Sequence, residues 1–270
     1  MSCVRDARSE FFNGGYVIME TLDTVNIPIR KDETHKGDYG KILLIGGSAN
    51  MGGAIMLAAR ACVYSGSGLI TVATHPNNHA ALHSRCPEAM VIDINDTKML
   101  TKMIEATDSI LIGPGLGVDF KGNNAITFLL QNIQPHQNLI VDGDAIIIFS
   151  KLKPQIPTCR VIFTPHQKEW ERLSGIPIEE QTYERNREAV NNLGATVVLK
   201  QHGTEIYFKD DAYKLSIGTP AMATGGMGDT LAGMITSFVG QFDSLKDAVT
   251  SATYTHSYIG EKLSESMYVV

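Results

Sequence analysis

"KILLIGGSANMGGAIMLAARACVYSGSGLITVAT", residues 41–74, holds an aliphatic run, a glycine-bearing loop, an apolar stretch at helical spacing and a second aliphatic run. It reads as a strand (41–46), a helix (52–66) and a strand (68–74). A strand-helix-strand unit of this size lays its two strands parallel, with the helix crossing over between them. Continuous apolar runs of six or seven residues mark strands buried on both faces. The same rhythm continues in the runs 89–94, 109–113, 138–143, 160–165 and 195–200. Helical stretches fall at 96–107, 123–133 and 178–194, the last ending at Gly194 as a C-cap. "TEIYFKDDAYKLSIG" (204–218) differs: two alternating runs joined by Lys209, Asp210 and Asp211 predict an antiparallel hairpin at the sheet edge. The expected fold is therefore α/β: a three-layer α/β/α arrangement around a mainly parallel sheet with an antiparallel edge hairpin.

The 270 residues carry 43% hydrophobic and 19% charged residues, an ordinary balance for a globular enzyme. A formal charge of -6 argues against a broad surface for nucleic acid or anionic membrane, so any phosphate must be met locally. Cys3, Cys62, Cys86 and Cys159 are scattered without a C-x-x-C pair, which suits a reducing cytoplasm. The opening "MSCVRDARSEFFNGGYVIME" lacks a signal-peptide core, and no run of about 18 apolar residues occurs. Residues 1–23 read as an irregular segment and 24–270 as one domain, since no linker or repeat interrupts the series. The final "SESMYVV" breaks off inside what reads as another element.

In such sheets ligands sit beyond the carboxyl ends of the strands, so the loops after each strand carry the chemistry. In "GGSANMGGA" (46–54), Gly47 and Gly52 have phosphate-loop spacing, but Gly53 and Ala54 stand where Lys and Ser/Thr belong, which argues against a Walker-type NTPase. "GPGLG" (113–117) lacks the third glycine of a dinucleotide fingerprint and remains a ligand-facing turn. Asp142 and Asp144 either orient a ligand hydroxyl or a metal-bound water, or cap the helix that follows. His166 and Glu169 share one face of a helix's first turn, able to present an imidazole to substrate and a carboxylate to hydrated Mg2+. Lys200 ends a strand before the Gly203-Thr204 turn and suits a nucleotide, or is a solvated lysine beside a hairpin turn. His75, His79 and His83 lie at i, i+4 intervals and read as a solvated helix face rather than a metal site. In "GTPAMATGGMGDTLAGMITSFVG" (218–240), Gly225, Gly226, Gly228 and Asp229 precede an apolar helix. Free N–H groups and the helix dipole make that start an anion site, with Asp229 either a first-turn acid or a base beside the anion.

"HKGDYGKILLIGGS", "GGAIMLAARACVYSGSGLITVAT", "GPGLG", "VDGDAI", "TPHQKE", "KQHGT" and "ATGGMGDTLAG" occur in that order from about His35 to His256. Together they resemble the NAD(P)H-hydrate dehydratases of the ribokinase-like superfamily. The resemblance implies repair of NADH or NADPH hydrated at C6 of the nicotinamide, by dehydration coupled to cleavage of ADP or ATP. It implies that Asp229 is the base, with Gly226 and Gly228 stabilising the transferring phosphoryl group. It places the hydrated dinucleotide on Ala54, Gly117, His166 and Asp229, and the nucleotide on Lys200, Gln201, His202, Gly203, Thr204 and Gly228. Glu169 would help hold phosphate-bound Mg2+. The match to stand-alone bacterial members favours ADP, and relatives suggest a homo-oligomer, a tetramer. Two departures stand out: "TPHQKE" replaces the family's "TPHPGE", and "VDGDAI" its "VDADAL". The competing readings are a kinase for a small thiazole- or pyridoxine-type alcohol on the same fold, and a nucleotide-binding homologue without turnover. The second is disfavoured by Asp229 standing with every anion-hole glycine.

Overall fold

A computed structural model describes residues 19–270. Its strands are β1 (Glu20–Leu22), β2 (Lys41–Ile45), β3 (Leu69–Thr74), β4 (Met90–Asp93), β5 (Ser109–Ile112), β6 (Asn138–Val141), β7 (Arg160–Phe163), β8 (Thr196–Leu199), β9 (Glu205–Tyr207) and β10 (Ala212–Leu215). They form one sheet in the order β1-β10-β9-β8-β7-β6-β5-β2-β3-β4. β9 runs against both of its neighbours, and the other pairings are parallel.

The helices are α1 (Gly52–Tyr64), α2 (His79–Arg85), α3 (Thr97–Ala106), α4 (Phe120–Asn132), α5 (Asp144–Leu152), α6 (Gln167–Ser174), α7 (Tyr183–Leu193), α8 (Met227–Val239) and α9 (Leu245–Ser264). Successive strand side chains point to opposite faces, and here both faces are buried. Ile42, Leu44, Ile140, Ile162 and Val198 pack toward α1, α2, α8 and α9. Leu43, Ile45, Val141, Phe163 and Leu199 pack toward α3 to α7. The result is the expected three-layer arrangement, in which the stretch 41–74 supplies the adjacent parallel strands β2 and β3 toward the β4 edge of the sheet and the helix α1 that crosses between them.

Some boundaries differ from the sequence reading. The hairpin forms, but β1 pairs with β10 and covers its edge, so part of the segment expected to be irregular extends the sheet. Residues 1–18 of that segment lie outside the described residues. The stretch 178–194 is broken: a 3-10 turn spans Ile178–Glu180, and α7 starts only after Thr182, whose side chain accepts from the Arg185 N–H. A threonine that caps offers the backbone a partner outside the helix, which sets the new start. α4 begins three residues early because Asp119 caps Lys121 and Gly122. Gly194 ends α7 in the left-handed conformation, as read.

Candidate active site

The carboxyl ends of β2, β5, β6, β7 and β8 open on one side of the sheet, and their loops lock onto each other. Gly47 and Ser48 N–H donate to the carbonyls of Pro114 and Gly115 at 2.8 and 2.6 Å. A Cβ on Gly46 would stand 2.3 Å from the Pro114 carbonyl oxygen, and one on Gly115 2.2 Å from that of Met51 and 3.2 Å from Ala54 Cβ. Only glycine permits this backbone approach, and Gly115 also has φ 59°. The glycines thus set the "GPGLG" turn against Ala54 at the start of α1. Asn78, buried at the head of α2, pins the first loop by donating to Gly47 O at 2.8 Å and Thr74 Oγ1 at 3.0 Å.

Beyond β6 and β7, Asp142 is 2% exposed and accepts from Lys200 Nζ at 2.8 Å and Thr164 Oγ1 at 2.6 Å. Asp144 accepts from the Gly117 N–H at 2.8 Å, which fixes the second glycine turn. His166 caps α6: its Nδ1 accepts from Lys168 and Glu169 N–H, while Glu169 accepts from the His166 N–H at 2.8 Å. Because Nδ1 accepts, the proton of the neutral ring sits on Nε2, which lies 3.5 Å from Glu169 Oε1. Burial, then the Lys200 and Arg172 charges, hold the imidazole below its ordinary pKa. Burial raises the Glu169 carboxyl, with Lys200 opposing it.

Lys200 closes β8, its N–H bonded to Pro165 O at 2.8 Å. Burial pulls its ammonium down, but Asp142 and Glu169 outweigh that and leave it above the usual lysine value. The Gln201–Thr204 turn follows, with Gly203 at φ 68° and Thr204 Oγ1 bonded to Gln201 O. Facing Lys200, Gly226 at φ 96° precedes α8, and Thr230 N–H makes the bond to Gly226 O. Met227, Gly228 and Asp229 therefore form a first turn whose N–H groups face outward from the helix. A Cβ on Gly228 would lie 3.1 Å from Lys200 Nζ. The half-buried Asp229 carboxyl is pushed up to about 6 by burial, then by Asp142 and Asp144, with Lys200 pulling the other way.

A sequence profile of the family described as NAD(P)H-hydrate dehydratase matches residues 42–270. The chain belongs to the NAD(P)H-hydrate dehydratase family. A Staphylococcus aureus (strain NCTC 8325 / PS 47) protein named ADP-dependent (S)-NAD(P)H-hydrate dehydratase is 87% identical over 257 residues, 95% of this chain and 93% of its own. A crystal structure of a ribokinase-like superfamily protein from Enterococcus faecalis V583 has a TM-score of 0.88 at 45% identity, covering 90% of this chain and 86% of the other. The ADP/ATP-dependent NAD(P)H-hydrate dehydratase of Bacillus subtilis, co-crystallised with ATP/Mg2+, has a TM-score of 0.80 at 32% identity, covering 89% and 86%. The fold is ribokinase-like.

In this NAD(P)H-hydrate dehydratase family member the residues singled out from sequence converge on the strand ends. Ala54 and the 113–117 turn stand together, and His166 and Lys200 are bridged backbone to backbone. Lys200 stands against Gly228 and within the electrostatic reach of Asp229. The replacement of Pro-Gly by Gln167-Lys168 leaves the His166/Glu169 cap intact. A cavity of about 950 Å3 touches the start of α8 at Met227 and Thr230 and is lined also by Leu57 and His256, but not by Asp229 or Lys200. Sequence reasoning left the roles of Asp142 and Asp144 open and passed over Thr164 and Asn78. Position at strand ends was the available signal, but a polar residue there is as often a cap. His79 departs from the solvated face: its Nε2 is enclosed without a partner among the described residues, whereas His83 is exposed.

Proposed function

We propose that this chain dehydrates hydrated NADH and NADPH at the expense of ADP, giving NAD(P)H, AMP and phosphate. The observation that carries the reading is a half-buried Asp229 carboxyl, pushed up to about 6, in the first turn of α8 beside Lys200. A general base works best with a pKa near the operating pH, and a helix start beside an ammonium favours a phosphoryl group. The names of close relatives supply the substrate class and favour ADP over ATP.

Asp229 accepts the proton of the C6 hydroxyl as its oxygen attacks the terminal phosphorus of ADP, and AMP leaves. The N–H groups at the start of α8, with those of Gly226 just before it and Gly228 within it, meet the equatorial oxygens of the transferring group. The ring nitrogen's lone pair then expels phosphate from C6, and loss of a C5 proton to solvent restores the dihydronicotinamide. Ala54 and Gly117 form the wall against which the ring is held, and His166 Nε2–H donates to the substrate. Lys200, Gln201, His202, Gly203, Thr204 and Gly228 receive the nucleotide. Among the described residues no group of three His, Cys, Asp or Glu side chains converges on a metal position. Mg2+ keeps its waters and uses few carboxylates together with substrate phosphates, and the Glu169 carboxylate, placed near Lys200 and Asp142, is a donor of that kind. Glu169 is the residue to hold it, and when bound the ion neutralises phosphate charge.

One domain, its expected start at residue 24 moved back to include β1, a homotetramer, and a cytoplasmic setting without membrane or nucleic-acid partners complete the proposal. None of the described helices is long and apolar enough to cross a membrane. The test is to mix hydrated NADH with ADP and Mg2+ and follow absorbance near ~340 nm, where the dihydronicotinamide absorbs. Recovery with stoichiometric AMP is expected. No recovery with either nucleotide, alongside a stable phosphorylated product from an unrelated alcohol, would replace the dehydratase with a kinase.

A further inference from the structure

We propose that Asp142 is a positioning residue: it anchors Lys200 against the first turn of α8 and away from Asp229, so that the ammonium meets the nucleotide's phosphates while the base stays free. The inference rests on the function proposed above. Asp142 follows β6 and is 2% exposed, and its Oδ1 takes two donors, Lys200 Nζ at 2.8 Å and Thr164 Oγ1 at 2.6 Å. Thr164 is fully buried at the end of β7, so its hydroxyl holds the carboxylate from the neighbouring strand. Lys200 ends β8 and is tied back to Pro165 by its own N–H. Three adjacent parallel strands therefore fix one carboxylate-ammonium pair in a frame that leaves the Lys200 side chain 19% exposed.

Three carboxylates act on Lys200: Asp142, Glu169 and Asp229. Of these, Asp142 alone is within ion-pairing distance among the described residues. Asp144, from α5, is engaged by Gly117, and His166 of α6 and His256 of α9 complete the titratable groups around the cluster. Lysine is a point charge on a flexible stem. Without the Asp142 charge, that stem is free to pair with Asp229, which would neutralise the base and withdraw the cation from the phosphates.

The test measures ADP affinity by equilibrium titration, and kcat/KM against pH, for wild type, Asp142→Asn, Lys200→Met, the double variant and Thr164→Val. Asp142→Asn keeps the shape of the side chain. It is expected to weaken ADP binding about tenfold, the scale of a lost charge-assisted hydrogen bond, and to move the acidic limb of kcat/KM to lower pH. In the Lys200→Met background the same change should alter ADP affinity by no more than about twofold, because residues acting through one another are non-additive. Thr164→Val should shift both readouts in the direction of Asp142→Asn, by less. Equal losses from Asp142→Asn in both backgrounds, or unchanged ADP affinity in both Asp142→Asn and Thr164→Val, would overturn the anchor. Should Asp142→Asn not fold, Thr164→Val and its combination with Lys200→Met complete the same cycle. ADP affinity is read without turnover, so a wrong substrate assignment leaves these arms intact, while an inactive wild type overturns only the reaction.

Discussion

Asp229 is held where ionisation is costly: burial and the charges of Asp142 and Asp144 push its carboxyl up to about 6. In the folded state it binds a proton that the unfolded chain has already released between its ordinary value and about 6. Stability attributable to this group therefore falls as pH rises through that window and stays lower above it. Asp229→Asn should raise the melting temperature at pH 7 to 8, with the gain vanishing below about pH 4, as scanning calorimetry across pH would show. The same variant should keep ADP affinity and lose at least ~100-fold in turnover, the scale of a general base. The wild-type kcat/KM should fall on the acid side with a midpoint near 6, and a flat profile down to pH 5 would remove Asp229 as the base. Asp229 was legible because glycines and an apolar helix frame it within a dozen residues. The Asp142–Lys200 pair was not: its partners are 58 residues apart, and only the pairing of β6, β7 and β8 brings them together.

The elements that carry these residues are held by close packing, most visibly between α1 and α8. A Cβ on Gly233 would lie 2.4 Å from the Ala58 carbonyl oxygen and 2.9 Å from Ala61 Cβ, and Cys62 Sγ donates to Gly233 O at 3.2 Å. The obstacle is backbone, which cannot swing aside. Gly233→Ala should destabilise the protein by about 1–3 kcal/mol, the usual cost of overpacking, seen as a lower midpoint in urea. Because α8 begins with Gly228 and Asp229, and α1 with Gly52 to Ala54, turnover should fall further than the folded fraction does. The seven apolar runs read as strands are strands because short β-branched runs bounded by glycines and turns suit a sheet covered on both faces, whereas the equally apolar run 145–149 belongs to α5, which starts directly after Gly143. Element starts were less legible. The cap at Thr182 and the extension of α4 back to Asp119 depend on single side-chain bonds, and the pattern of apolar residues does not encode them.

At the scale of the whole molecule, the sheet order does what no single motif announces. The alternation of strands and helices implies parallel pairing, but it does not say that β2 lies between β5 and β3, nor that Glu20–Leu22 returns to pair with β10. That order gathers Ala54, Gly117, His166, Lys200 and Asp229 at one end of the sheet, where a nucleotide bound as proposed would tie the turn after β8 to the start of α8. A ligand that binds only the folded state stabilises it by mass action, about 2.7 kcal/mol at a hundredfold excess over Kd. For a chain of this size that is roughly 5–10 °C in melting temperature. ADP with Mg2+ should produce such a rise in thermal unfolding, and AMP at the same concentration a smaller one, because the proposed function sets the terminal phosphate against Lys200 and the first turn of α8. Lys200→Met should reduce the ADP shift to that of AMP while leaving the AMP shift in place. Equal shifts for ADP and AMP in the wild type would mean that the cleft between β8 and α8 holds the nucleoside and not the phosphate that is to be transferred.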